Sequence, residues 1–325
     1  MADLSTKFAG LELANPVVVS SSGLTDSVEK IQKLEEAGAG AVVLKSLFEE
    51  QILVEAEVMS GSSNYPEADD YIKHYTRTNK VDEYLNLIEG AASASKIPVI
   101  ASINCVSDSE WFDFAKKIEE AGADALELNV YFLSSGKDTG SQNYEKLYLD
   151  IAENVKSRVE IPVIMKLGQN FTNLVNLVDL LYHRGIDGVV LFNRFYSPDI
   201  NIKELRMTSS EVFSSPSDLR YSLRWVAIVS SLVDQVDIAA STGIHDGTGV
   251  IKQLLAGAQA VQVCSAIYKN GPSHIQKMLD ELGNWMDEKK FENLAAFRGK
   301  MNYKSIQDPE IYERSQFMKY FSSHH

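Results

Sequence analysis

Lysine and asparagine side chains stand at the ends of several short apolar segments of this chain. Lys45 ends the segment AVVLK and Lys166 ends PVIMK, whereas Asn104, Asn129 and Asn193 end three comparable segments. A buried lysine is unfavourable unless it meets an anion, so two of them in equivalent positions indicate an anionic ligand. Asparagine offers both a donor and an acceptor, so the two lysines and three amides form one coherent set of polar groups.

Small residues and glycines end the remaining segments. The stretches STGIHDGTG (241–249) and QVCSAIYKNGP (262–272) place them where a strand turns into a helix. Backbone amides in such turns hold phosphate groups, and barrel enzymes bind phosphate after their seventh and eighth strands. The small residues at the segment ends, which predict a phosphate site near the lysines, are Ser21, Ser22, Gly23, Thr242, Gly243, Cys264 and Ser265.

Eight strand-like segments must position these side chains. Four follow a helical stretch through a glycine, and the four between them are short and apolar. Each is followed by a segment with helical spacing of apolar residues, a pattern that predicts a parallel sheet covered by helices. Eight such units favour a closed (β/α)8 TIM barrel over an open doubly wound sheet, in one domain spanning residues 1–325. The segments are 16–23, 35–45, 98–104, 119–129, 162–168, 182–193, 237–243 and 254–265.

Long connections follow the second, fourth and sixth strands, at residues 47–79, 131–142 and 194–216. All three leave the carboxyl ends of strands, where barrels of this kind place their active sites. Insertions on one face predict lids over a site at that end of the barrel.

Composition excludes several classes of function. The chain has 45 acidic against 31 basic residues, a net charge of −14, which argues against nucleic-acid binding. Its two cysteines, Cys105 and Cys264, have no metal-ligand spacing and predict no disulfide framework. Neither a signal pattern nor an apolar run of membrane-spanning length is present, so we expect a cytoplasmic protein.

The segments NPVVVSSSG, VVLKS, ELN, VIMKLG, VVLFN, STGI and QVCSAIYKNGP, in this order, resemble the dihydroorotate dehydrogenase family of flavin-mononucleotide (FMN) barrels. The resemblance runs from about residue 5 to residue 300, and its most specific stretch is LLAGAQAVQVCSAIYKNGP. It implies one FMN and the oxidation of dihydroorotate to orotate in pyrimidine biosynthesis. Because the first strand begins near residue 16, the chain resembles the soluble class. That class implies a homodimer whose flavin is reoxidised by fumarate or, through an iron–sulfur partner subunit, by NAD, and we expect a soluble acceptor such as fumarate.

The resemblance also implies roles for individual residues. Lys45 contacts flavin and substrate, and Lys166 contacts the carbonyl edge of the flavin, where a cation favours hydride acceptance. Asn64, Asn129 and Asn193 contact the substrate. The implied cofactor-binding set is Ser21, Ser22, Gly23, Lys45, Asn104, Asn129, Lys166, Thr242, Gly243, Cys264 and Ser265.

The loop after Asn129 departs from the family pattern. There the family has Ser and then a catalytic Cys or Ser, the base that removes a substrate proton. An ungapped comparison places Tyr131 and Phe132 at these positions, whereas a three-residue insertion makes Ser135 the base. Three alternatives stay open: Ser135 as a displaced base, loss of the base, or another group such as Tyr131 as the acid or base.

These alternatives lead to different functions. We expect cofactor binding to be intact and substrate oxidation to be weakened or redirected, since a missing general base costs roughly 10²–10⁴ in rate. One other possible function is that of an FMN-binding barrel without dihydroorotate activity, either with another substrate or as a sensor. Another possible function is that of a phosphate-binding barrel aldolase or isomerase in which Lys45 or Lys166 forms a Schiff base.

Overall fold

The computed structural model describes residues 2–48, 52, 66–104, 109–133, 135–195 and 197–314, without the side chains of 66–77 and 109–113. Its strands in chain order are β1 Thr6–Phe8, β2 Leu11–Leu13, β3 Val17–Val19, β4 Ala41–Val43, β5 Leu47–Phe48, β6 Val99–Asn104, β7 Ala125–Asn129, β8 Val163–Leu167, β9 Gly188–Leu191, β10 Pro198–Asn201, β11 Arg206–Ser209, β12 Asp237–Ser241 and β13 Ala260–Val263.

Eight parallel strands close into a barrel. The order around it is β3, β4, β6, β7, β8, β9, β12 and β13, and β13 pairs again with β3. Every segment predicted as a strand contributes one of these eight. The predicted (β/α)8 TIM barrel is therefore confirmed.

Helices cover the outside of the barrel. They are α1 Val28–Glu36, α2 Pro66–Ala94, α3 Ser109–Glu120, α4 Ser141–Lys156, α5 Leu174–His183, α6 Leu219–Leu232, α7 Gly247–Ala256, α8 Ser265–Asn270, α9 His274–Lys289 and α10 Glu310–Glu313. The glycines predicted to end helices have positive φ, as at Gly257, where φ is 117°. Within the described residues, no helix is long and apolar enough to span a membrane.

Apolar side chains close the amino-terminal end of the barrel. The hairpin of β1 and β2 places Phe8 and Leu13 against inward-facing residues of the strands, among them Ile100 and Ile164. Because these side chains are buried, this end of the barrel is packed core. The carboxyl end, where the polar strand-end residues lie, is left for a site.

The long connections contain more regular structure than the sequence indicated. The predicted loop boundary at residue 79 is wrong, because α2 already begins at Pro66. The connection after β9 carries the antiparallel hairpin of β10 and β11, in which Pro198 pairs with Ser209. Both features follow the carboxyl ends of barrel strands.

Candidate active site

A cavity of about 950 Å³ lies at the carboxyl end of the barrel and takes lining residues from the ends of all eight strands. It brings together eleven of the residues singled out in the sequence: Ser21, Ser22, Lys45, Asn104, Asn129, Lys166, Asn193, Thr242, Gly243, Cys264 and Ser265. Gly23 and Ser135 are not among its lining residues. Asn64 and Cys105 lie outside the described residues.

The charge of the cavity is opposite to that of the whole chain. Lys45, Lys166 and Arg194 line it, and none of its described lining residues is Asp or Glu. In a protein of net charge −14, this arrangement gives a local preference for anions.

Lys166 is buried on the floor of the cavity and already has an anionic partner. Its ammonium lies 3.3 Å from a carboxylate oxygen of Glu127, 3.0 Å from Ser20 Oγ and 2.7 Å from Gln262 Oε1. Lys45, by contrast, is exposed at the rim. The expectation of two buried lysines in need of a ligand anion is thus wrong for Lys45, and Glu127 supplies the anion for Lys166.

The two asparagines predicted to contact substrate, which lie at the ends of strands on either side of β8, are hydrogen-bonded to each other. Asn129 ends β7 and Asn193 follows β9, and Asn193 Nδ2 donates to Asn129 Oδ1 over 2.5 Å. Asn129 is buried, whereas Asn193 is half-buried. This bond leaves the Asn129 amide group and the Asn193 carbonyl for a ring with complementary donors and acceptors.

The turn after β12 has a strained backbone. Thr242 and Gly243 have φ values of 74° and 82°, and Thr242 Oγ1 donates to the carbonyl of Phe192. A Cβ at Gly243 would lie 2.1 Å from the backbone nitrogen of Leu219. Only glycine fits there, so the close approach of α6 requires Gly243 independently of any ligand.

The start of α7 is not available to a phosphate. Asp246 accepts a hydrogen bond from Gly249 N, and Glu281 accepts one from Gly247 N over 2.7 Å. Two groups of backbone amides remain for an anion in this region: those of the turn after β12 and those of the residues that follow β13. At the second place the Cys264 side chain makes no capping hydrogen bond to the first amides of α8.

Ser214 joins the same region, although no pattern in the sequence singled it out. It is buried in the cavity wall, and its backbone N–H donates to Ser265 Oγ over 3.0 Å. Its hydroxyl lies 3.1 Å from His245 Nε2, and Lys269 Nζ donates to its carbonyl. Burial, and then the charge of Lys269, lowers the pKa of His245, so its neutral form is favoured.

The rewritten loop sends its two aromatic residues in different directions. Tyr131 lines the cavity, whereas Phe132 packs edge-on against Tyr148, with ring centroids 5.6 Å apart. Ser135 is exposed, and its backbone N–H donates to the carbonyl of Leu133. Phe132, which an ungapped comparison places at the position of the base, is therefore a packed aromatic residue. Ser135, the base if three residues are inserted, does not line the cavity.

Cys264 is half-buried in the cavity wall. Burial raises the pKa of its thiol, with a smaller opposing effect from the hydroxyl of Ser22. The neutral thiol is consequently the favoured form, which suits a packing residue better than a nucleophile.

Comparisons with a family model and with individual proteins identify the same family. The sequence model described as dihydroorotate dehydrogenase matches residues 61–286. The "Dihydroorotate dehydrogenase B (NAD(+)), catalytic subunit" of Thermoplasma volcanium is 30% identical over 311 residues, which cover 92% of this chain and 98% of that protein. The protein of the same name in Methanocaldococcus jannaschii is 28% identical, over 90% of this chain and 95% of its own.

A third relative carries a different name. The "Putative dihydroorotate dehydrogenase A (fumarate)" of Aeropyrum pernix is 27% identical over 306 residues, which cover 91% of this chain and 97% of that protein. With a family model that matches more than half of the chain and relatives that match most of it, the chain belongs to the dihydroorotate dehydrogenase family.

Proposed function

We propose that this protein is an FMN-dependent oxidoreductase that oxidises dihydroorotate to orotate, with weakened removal of the substrate proton. The observation that carries the proposal is the cavity itself. Three cations and an asparagine pair line it, and no acidic residue does so among its described lining residues. Dihydroorotate combines a carboxylate with a ring of amide groups, and such a lining complements both.

The residues present fit FMN. A volume of about 950 Å³ lies within the usual range for ligand sites. Lys166 lies at the floor, and the strained turn at Gly243 together with Ser265 offers backbone amides for a phosphate. When bound, FMN supplies hydride acceptance from the substrate.

The chain's own residues would orient the substrate. Asn129 and Asn193 would pair with its ring amides, and Lys45 at the rim would meet its carboxylate. Tyr131 and Phe195 would form the wall that excludes water. The weak step is proton removal, because Ser135 is exposed and Phe132 is packed against Tyr148. A cost of roughly 10²–10⁴ in rate follows if no other base acts.

A flavoprotein with another substrate is the second candidate, and the stacked pair of Tyr131 and Phe195 favours it. Their aromatic surface would accept a flat ring other than dihydroorotate. A Schiff-base aldolase has less support, since Lys166 is paired with Glu127 and held as an ammonium donor by three acceptors.

The electron acceptor and the assembly belong to the same proposal. Two of the relatives above are named for NAD+ and one for fumarate, so we place NAD+ before the fumarate expected from the sequence. We also propose a single domain, a cytoplasmic location and a homodimer. The exposed apolar residues Ile202 and Leu205 on the β10–β11 hairpin support association with another chain.

The test is anaerobic bleaching of the FMN-loaded protein by dihydroorotate, in the wild type and in Ser135→Ala. We expect slow bleaching that the substitution leaves unchanged. Fast bleaching that Ser135→Ala abolishes would establish the displaced base and refute weakened oxidation. A protein that stays colourless after incubation with FMN would refute the flavin function. Reoxidation by NAD+, fumarate and quinone, followed by stopped flow, tests the acceptor.

A further inference from the structure

Four buried side chains form one hydrogen-bonded unit under the cavity, three from β7, β8 and β13 and one from the residue after β3. We call this unit the buried quartet: Ser20, Glu127, Lys166 and Gln262. Lys166, Gln262 and Ser20 line the cavity, whereas Glu127 does not and has no exposed surface. The quartet is therefore open to a ligand on one side and closed on the side of Glu127.

The hydrogen bonds of the quartet use every donor of Lys166. An ammonium has three N–H groups, and Lys166 has three acceptors, in Ser20, Glu127 and Gln262. Gln262 holds the arrangement together, because its carbonyl accepts from Lys166 over 2.7 Å while its amide group donates to Glu127. The positions of the two charges are thus fixed by a shared neighbour.

The charges of the quartet cancel. Glu127 and Lys166 carry one charge each, of opposite sign, and lie 3.3 Å apart. The positive charge of Lys166 at the cavity floor is therefore largely neutralised by Glu127, which lies on the side away from the cavity. In a buried environment this compensation is weakly screened by solvent, so it acts on any charge that a ligand gains in the cavity.

We infer that Glu127 is a positioning residue that compensates the charge of Lys166 and thereby sets the balance between oxidised and reduced FMN, an inference that rests on the FMN binding proposed above. Reduction adds negative charge to the flavin, and a lone cation would favour the reduced form more than a compensated one does. Glu127 keeps that preference small, so that reduced flavin can still pass its electrons on.

The experiment measures the midpoint potential of bound FMN. In Glu127→Gln we expect the equilibrium to move toward reduced FMN at least tenfold, which is about 30 mV for a two-electron couple. Glu36→Gln is the matched control, since Glu36 is exposed on α1 and the change in net charge is the same. The shift should fall to less than half in a Lys166→Met background, because a carboxyl buried without its cation is favoured in the neutral form and its replacement then removes little charge.

Glu127→Asp keeps the charge and draws the carboxylate back by one methylene, so it serves if Glu127→Gln does not fold. We expect a smaller shift in the same direction. Bound FMN with an unchanged or lowered potential in both variants would overturn the inference, as would a shift that persists undiminished without Lys166. Failure of the wild type to bind FMN would instead refute the proposed function, and the two failures are thus distinguishable.

Discussion

The ring of Tyr131 stacks on the ring of Phe195, with centroids 3.6 Å apart and planes 22° from parallel. Both rings line the cavity, and Gly168 makes room for them, since a Cβ there would lie 2.9 Å from the Phe195 ring. Tyr131, the first aromatic residue of the loop after β7, therefore forms part of the cavity wall, and it packs against Phe195 from the connection after β9.

This stack predicts different effects for two substitutions of Tyr131. Tyr131→Phe keeps the ring and should change the bleaching rate by less than about twofold, whereas Tyr131→Ala should lower it about tenfold and destabilise the fold by about 1 kcal/mol. Rapid-scan absorbance under anaerobic conditions measures the rate. Loss of bleaching in Tyr131→Phe would contradict this role and identify the phenol as the acid or base.

The asparagine pair predicts the affinity for orotate. Asn129→Ala and Asn193→Ala should each weaken orotate binding to the FMN-loaded protein about tenfold, the effect of losing one or two hydrogen bonds in a site removed from water. Titration followed by the flavin absorbance gives the affinity. Asn143→Ala, an exposed residue of α4, is the matched control. Equal affinities in all three variants would remove the pair from the substrate site.

The turn at Gly243 predicts a large loss of stability for a small change. Gly243→Ala combines a positive φ with a Cβ 2.1 Å from Leu219 N, so we expect at least about 2 kcal/mol of destabilisation. Gly283 lies in α9, where nothing beyond the adjoining residues and local helix backbone is within 4 Å of an added Cβ, so Gly283→Ala should stabilise by about 0.5–1 kcal/mol. Urea unfolding measures both, and effects of the same sign would contradict the prediction.

The burial of His245 predicts a pH dependence. Because its folded pKa is lowered, the unfolded chain takes up the proton first, and the stability contributed by the neutral ring is lost as the pH falls below 6.5. The free energy of unfolding of the wild type should therefore drop toward that of His245→Asn between about pH 7 and pH 5. Ser214→Ala should keep the dependence, since burial is its main cause. A wild type whose advantage grows in acid would contradict this sign.

Local patterns in the sequence determined the barrel and the strand ends. Strand and helix periods, and glycines such as Gly257 after helices, depend on neighbouring residues, and these reappear in the structure at the predicted places. The same patterns placed Lys166, Asn129 and Asn193 at one end of a parallel sheet, where the cavity brings them together. The helical start of α2 at Pro66 was missed because residues 66–94 show almost no amphipathic period.

Tertiary structure alone decided which of these side chains meet. Glu127 and Gln262 are 135 residues apart, and only closure of the barrel places both beside Lys166. The same holds for Ser214 and His245, whose connections converge above the last two strands. Exposure also depends on packing from distant elements. For this reason Lys45 lies at the rim, Phe132 packs against Tyr148 and Ser135 is exposed outside the cavity lining, although their sequence positions predicted other roles.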